Sequence, residues 1–245
     1  MPDSEIVVII PARNEEAAIG KVIGEIPDFV DRIIVANNGS TDKTAMVAEQ
    51  AGAQIVDVPQ PGYGRACLAG IAAAGACDII VFLDGDASDY PEDMGQLLQP
   101  IWEGKADFVV GSRLNEMCEP DSLTLPQKFG NRLACSLMRL FWGSKFTDLG
   151  PFRAITYTRL QQLNMQAPTF GWTVEMQVRV LKQEIAYCEI PVRYRKRIGV
   201  SKISGTAKGV ILAGYYILGT IFWEALIKRD WSLLAQIRQK SGKTI

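Results

Sequence analysis

Short runs of aliphatic and β-branched residues recur through the first half of the chain, at residues 6–10, 33–35, 55–58 and 79–83. Runs without polar alternation predict strands covered on both faces. Residues 108–110 add a fifth. Between the runs lie stretches of mixed polarity that predict helices over about 15–25, 41–51 and 64–74. Pro91 opens another, since proline is favoured in a helical first turn. Strands alternating with helices predict an α/β fold: a Rossmann-like, mostly parallel sheet flanked by helices. The expected sheet is a four-strand core with a mixed edge strand.

The second half is less regular. Residues 127–141 and 172–182 read as helices, and 185–194 as a strand. Residues 210–227 form an apolar stretch whose one ionisable side chain is Glu224. As a helix it is about 27 Å long, close to a hydrocarbon core of about 30 Å. Gly214, Gly219, Glu224 and Trp223 argue against a simple span. Lys228 and Arg229 follow it, which suits a helix lying on an anionic membrane surface or packing on the domain or on a second subunit.

In a parallel sheet, ligands bind beyond the carboxyl ends of the strands. Three polar clusters fall at such ends: Pro11-Ala12-Arg13-Asn14-Glu15, Asn37-Asn38-Gly39-Ser40, and Asp84-Gly85-Asp86. Two carboxylates one residue apart at the end of a buried strand repel each other unless a cation neutralises them. Their hard oxygens suit Mg²⁺ or Mn²⁺, with a diphosphate supplying further ligands. The alternative is an ordinary solvated strand exit. Gly62-Tyr63-Gly64-Arg65 is a short glycine loop carrying one cation, which a plain turn also explains.

Composition narrows the chemistry. The 245 residues contain no histidine, so His bases, Ser-His-Asp triads and His-ligated zinc are excluded. The formal net charge of -1 gives no global electrostatic case for nucleic-acid binding. The five cysteines show no C-x-x-C spacing and are expected to be free thiols in a reducing compartment. The acidic N-terminus runs straight into a strand and does not read as a signal peptide. A cytoplasmic location follows as the expectation.

The order P-x-x-N-E, N-G-S-T-D, G-x-G-R and D-G-D resembles the family 2 glycosyltransferases of GT-A fold, over roughly residues 5–205. It looks most like the polyprenyl-phosphate (dolichyl-phosphate) hexosyltransferases. The resemblance implies a catalytic domain over 1–205, with a nucleotide-sugar half at 1–113 and an acceptor half at 114–205, and a C-terminal helical extension at 206–245. It implies that Pro11, Ala12, Asn14 and Glu15 sit at the nucleoside of a UDP- or GDP-sugar. Asn37 and Asn38 replace the Asp pair of relatives that holds the base. Arg65 would approach the base or diphosphate. Asp84 and Asp86, with Gly85 between them, would hold the ribose and the metal. Asp148-Leu149-Gly150-Pro151-Phe152-Arg153 resembles the acceptor-side loop. Gly171-Trp172-Thr173-Val174-Glu175 resembles the segment bearing a catalytic carboxylate. The stretch from Arg195 to Lys202 resembles the R-x-x-G-x-S-K segment of the polyprenyl-phosphate branch.

An inverting transfer to a sugar hydroxyl needs a base, for which Glu175 and then Asp148 are the candidates. A phosphate acceptor is already anionic and needs charge compensation instead. Arg195, Arg197, Ser201 and Lys202 are expected to give it, with Arg capable of bidentate contact. The expected function is hexose transfer to a polyprenyl phosphate at the cytoplasmic membrane face, with Mg²⁺ or Mn²⁺, peripheral membrane contact and a homo-oligomer in view. The alternatives are a soluble acceptor, a nucleotidyltransferase, or nucleotide-sugar binding without catalysis.

Overall fold

The computed structural model describes residues 4–199 and 207–227. Its centre is a seven-stranded sheet in the order β3-β2-β1-β4-β6-β5-β7. The strands are β1 (Ile6–Ala12), β2 (Arg32–Asn37), β3 (Gln54–Asp57), β4 (Ile79–Phe82), β5 (Phe108–Ser112), β6 (Arg153–Thr156) and β7 (Tyr187–Pro191). All neighbours pair parallel except β6, which runs antiparallel to both β4 and β5. The antiparallel strand is therefore inside the sheet, not at the expected mixed edge.

Every residue of β1 is buried. Its side chains alternate between faces, as a strand's must. Val8 and Ile10 join a core with α1 (Ile19–Gly24), α2 (Thr44–Gln50) and α4 (Met94–Trp102). Val7 and Ile9 join the opposite core with α3 (Tyr63–Ala74), α5 (Leu125–Trp142), α6 (Tyr157–Leu163) and α7 (Trp172–Lys182). A side chain at Gly70 would collide with Ile9, so glycine lets α3 sit directly on β1.

The helices α1 and α2 begin later than their sequence pattern suggests. Asn14 adopts a left-handed φ of 52°, and Glu15 N donates to Thr44 Oγ1 at 2.7 Å. Asn14 Oδ1 accepts from Thr41 N at 2.7 Å. The residues ahead of each helix are thus spent on tying the two loops together. Helix α5 starts with a reciprocal capping box between Thr124 and Gln127.

The apolar C-terminal stretch forms α8 (Ala207–Phe222), followed by a π-helical turn over Trp223–Ile227. It packs on α5 and α7. Phe222 meets Phe141 edge-on at 5.9 Å. Glu224 is buried, with Lys182 Nζ at 3.0 Å and Arg179 Nη2 at 3.8 Å from its carboxylate. This explains the lone acid in an apolar segment. Among the described residues no helix is long and apolar enough to cross a membrane.

Candidate active site

The parallel register of β1 with β2 and β4 brings the three predicted clusters to one sheet edge. Asn38 N donates to Ala12 O at 2.8 Å, joining two of them. Asn38 Oδ1 then accepts from Gly62 N at 2.8 Å, tying in the glycine loop. Asn37 is turned to its own strand neighbour, donating to Asp57 Oδ1 at 2.8 Å. Pro11 and Ala12 are buried in the strand end. A side chain at Gly85 would press on Ala12, Ile10 and Ile19 at 3.3 Å, so the residue between the two acids has to be small.

The acids themselves face a cavity of about 620 Å³. Tyr63 Oη donates to Asp84 Oδ1 at 3.2 Å. The Asp84 carboxyl is pushed up to about 7, first by burial and then by Asp86, against the pull of Arg113. Asp86 Oδ1 accepts from Ser88 N at 2.9 Å and Ser88 Oγ at 2.5 Å. Just beyond, Asp89 is 1% exposed and neither carboxylate oxygen has a hydrogen-bond partner among the described residues. Burial, then Asp84 and Asp86, hold its carboxyl well above the usual range.

Three acids pressed together in this way have an excess of negative charge that a divalent cation would offset. Among the described residues no cluster of three or more acidic, thiol or imidazole groups could hold an ion by itself. Asp84 and Asp86 could give a hard cation two oxygens, and its remaining ligands would have to come from outside the described residues.

Arg113, at the carboxyl end of β5, was not among the sequence candidates. Its Nε and Nη2 clamp Asp148 at 2.9 and 2.8 Å, and its guanidinium lies over the Tyr194 ring at 5.1 Å. The arginine lines the cavity and Asp148, fully buried, does not. Burial works to raise the Asp148 carboxyl, but Arg113 outweighs it and the net shift is downward. Tyr63 was also missed. Arg113 follows from the rule that exposed Asp84, since Gly-Ser-Arg leaves a buried strand much as Asp-Gly-Asp does; Tyr63 instead opens α3 from the glycine loop.

Glu175 is not in the cavity either. Its carboxylate accepts from Gln166 N and Ala167 N at 3.1 and 2.8 Å and pairs with Arg179 at 2.6 Å. It is 3% exposed. Its geometry is that of a brace for residues 164–168 and not of a base at a reacting atom. That segment lies against the glycine loop: Arg65 N donates to Pro168 O at 3.1 Å, and a side chain at Gly64 would strike Ala167 O. Arg65 itself turns away, donating to Pro61 O at 2.8 Å.

The basic segment divides. Arg195 donates to Ala87 O at 2.6 Å, pairs with Glu25 and stacks on Tyr90 at 4.3 Å, outside the cavity. Lys196 and Arg197 line the cavity. Ser201 and Lys202 lie outside the described residues. From the acids the cavity runs out past Leu149 and Phe170 between α5 and α8, where Leu133, Ile217 and Leu218 line it.

Comparison with known proteins gives the same reading. Residues 7–166 match the family model described as Glycosyl transferase family 2. A protein described as an uncharacterized glycosyltransferase from Mycobacterium tuberculosis (strain ATCC 25618 / H37Rv) is 32% identical over 216 residues, 87% of this chain and 96% of that one. The dolichyl-phosphate hexose transferase of Haloferax volcanii is 28% identical over 213 residues, 85% of this chain and 90% of its own. Among solved structures, glucosyl-3-phosphoglycerate synthase from M. tuberculosis, in complex with Mn²⁺, UDP and glucosyl-3-phosphoglycerate, superposes with a TM-score of 0.73. At 24% identity, over 91% of this chain and 80% of that one, the likeness is one of fold. With the strand-end clusters converging on Asp84 and Asp86, this chain belongs to glycosyl transferase family 2 and has its GT-A fold.

Proposed function

We propose that the protein is an inverting hexosyltransferase that moves a sugar from a UDP- or GDP-sugar to a polyprenyl phosphate at the cytoplasmic membrane face. The carrying observation is the two-ended cavity. One end holds Asp84, Asp86, Arg113 and Arg197; the other is an apolar channel between α5 and α8. That polarity matches an acceptor with a phosphate head and a hydrocarbon tail. The same two helices expose Leu125, Ile211 and Tyr215, and Phe129 at the cavity lining, each more than 70% accessible. Exposed apolar residues beside an apolar channel mouth suit contact with a lipid surface.

The second support is chemical. Of the carboxylates lining the cavity, Asp84 and Asp86 belong to the donor end and Asp121 stands on the exposed rim. Glu175 and Asp148 are committed elsewhere. A hydroxyl acceptor would need a base that the channel does not offer among the described residues, whereas a phosphate monoester attacks as an anion. Mg²⁺ or Mn²⁺ at Asp84 and Asp86 would stabilise charge on the departing diphosphate. Tyr63 orients Asp84, and Ser88 orients Asp86. Arg113, fixed by Asp148, and Lys196 supply positive charge where the acceptor phosphate would approach.

A soluble acceptor is favoured by one feature: the rim also carries Asp121, Ser122, Thr124 and Gln127. The two readings separate in vesicles. Sugar transfer into the organic phase from liposomes containing polyprenyl phosphate supports the lipid acceptor. Transfer only to water-soluble phosphorylated or hydroxylic acceptors would replace it.

A further inference from the structure

Arg197 makes two ion pairs with one guanidinium. Its Nη1 lies 2.9 Å from Asp86 Oδ2, and its Nη2 lies 2.9 Å from Glu15 Oε1. The other Asp86 oxygen is taken by Ser88. Each oxygen of the carboxylate assigned to the metal therefore already has a protein partner. Arg197 joins this carboxylate to Glu15, in the loop that follows β1.

The backbone beside Arg197 is anchored while its side chain is less so. Ile198 N donates to Asp86 O at 2.9 Å, and Arg195 N donates to Ser88 O at 2.9 Å. The Arg195 side chain is 13% exposed and packed on Tyr90; that of Arg197 is 27% exposed and faces the cavity. Arg197 Nε is enclosed and has no hydrogen-bond partner among the described residues. A buried donor without a partner weakens the arrangement that holds it.

A divalent cation coordinated by Asp86 Oδ2 and a guanidinium held on that same oxygen repel each other, so the two compete for it. We propose that Arg197 is the resident counter-cation of Asp86 in the ligand-free enzyme, exchanged for the divalent metal when a nucleoside diphosphate brings the remaining ligands. The displaced guanidinium then finds a new anion in the phosphates entering the same cavity. A metal ion alone must break the Asp86–Arg197 pair and leaves the guanidinium with Glu15 as its one anion among the described residues, so it binds weakly. A metal with its diphosphate provides both the replacement for Asp86 and a partner for Arg197. This rests on the assignment of Asp86 as the metal carboxylate.

The experiment follows Mn²⁺ binding to the full chain by electron paramagnetic resonance, alone and with UDP or GDP. Arg197→Gln is expected to bind Mn²⁺ alone about tenfold more tightly than the wild type, because a neighbouring positive charge is removed. Arg197→Lys, which keeps the charge, is expected to stay close to wild type. The diphosphate is expected to tighten Mn²⁺ binding more in the wild type than in Arg197→Gln. Equal or weaker binding of Mn²⁺ alone by Arg197→Gln, with diphosphate-dependent binding intact, overturns the exchange and leaves the donor site standing. No Mn²⁺ binding by any of the three proteins with either nucleotide overturns the metal assignment, and the exchange with it.

Discussion

Arg113 and Asp148 form a buried two-point ion pair, Nε to Oδ2 at 2.9 Å and Nη2 to Oδ1 at 2.8 Å, with Arg113 N adding a third bond at 2.7 Å. One partner faces the cavity and the other stands behind it. Removing the carboxylate strands a nearly enclosed guanidinium, which typically costs about 3–5 kcal/mol. Asp148→Ala is expected to lose stability on that scale in chemical denaturation. The milder Asp148→Asn should fold while losing affinity for the phosphate-bearing acceptor. Unchanged acceptor KM in a folded Asp148→Asn would remove Arg113 from the acceptor site.

Glu175→Gln separates a brace from a base. The substitution loses the ion pair with Arg179 and one or both contacts to residues 164–168, a cost of about 1–3 kcal/mol. The loosened segment no longer presses on Gly62 and Gly64, so the donor KM should rise several-fold with a smaller change in kcat. The pH–rate profile should keep its shape. A collapse of kcat at constant donor KM, with one limb of the profile lost, would restore Glu175 as the base.

Asp84 gives the pH dependence. Its carboxyl lies near 7, raised from 3.8 first by burial and then by Asp86. A raised acid pKa means that the folded protein binds this proton more tightly than the unfolded chain does. The associated stability is complete below about 4 and disappears as the pH rises through 7. A cation binds the ionised form. Mn²⁺ affinity in the presence of UDP should therefore increase from pH 6 to pH 8, with proton release visible by calorimetry in buffers of different ionisation enthalpy. Affinity independent of pH and free of proton release would contradict this role.

Phe129 and Ile211 test the lipid face. Both are exposed, at 71% and 72%, on the two helices that flank the channel. Replacing both by Gln should leave thermal stability within about 0.5 kcal/mol of the parent. Sedimentation with anionic liposomes should fall several-fold. Undiminished liposome binding would place the membrane contact elsewhere.

The sheet's first half was legible in the sequence because β1, β2 and β4 are uninterrupted aliphatic runs, and their polar ends could only gather at one edge. Strand β6 was not, for a physical reason. It opens with Arg153, a fully buried cation that reads as a loop residue. Its charge is accommodated by the carbonyls of Leu149, Gly150 and Thr173, and burial lowers its pKa to about 10. Nothing local in the chain announces those partners. The same limit affected the two supposed bases. Asp148 finds Arg113 35 residues away, which no pattern reveals. The i, i+4 spacing of Glu175 and Arg179 was visible and points to an ion pair on one helix face. Arg195 and Arg197 look alike in sequence, and regular strand alternation would put them on one face. The segment is irregular there, and the structure sends one to Glu25 and the other to the cavity.

The central claim is metal-dependent transfer from a nucleotide sugar at Asp84 and Asp86 to a lipid phosphate. Its most direct measurement is nucleoside diphosphate release from a panel of UDP- and GDP-sugars with Mg²⁺ or Mn²⁺, with and without polyprenyl phosphate, and with Asp86→Ala beside the parent. The expected result is release from one donor that requires both metal and lipid phosphate and is lost in Asp86→Ala. Release that ignores the lipid, or that survives Asp86→Ala, would contradict it.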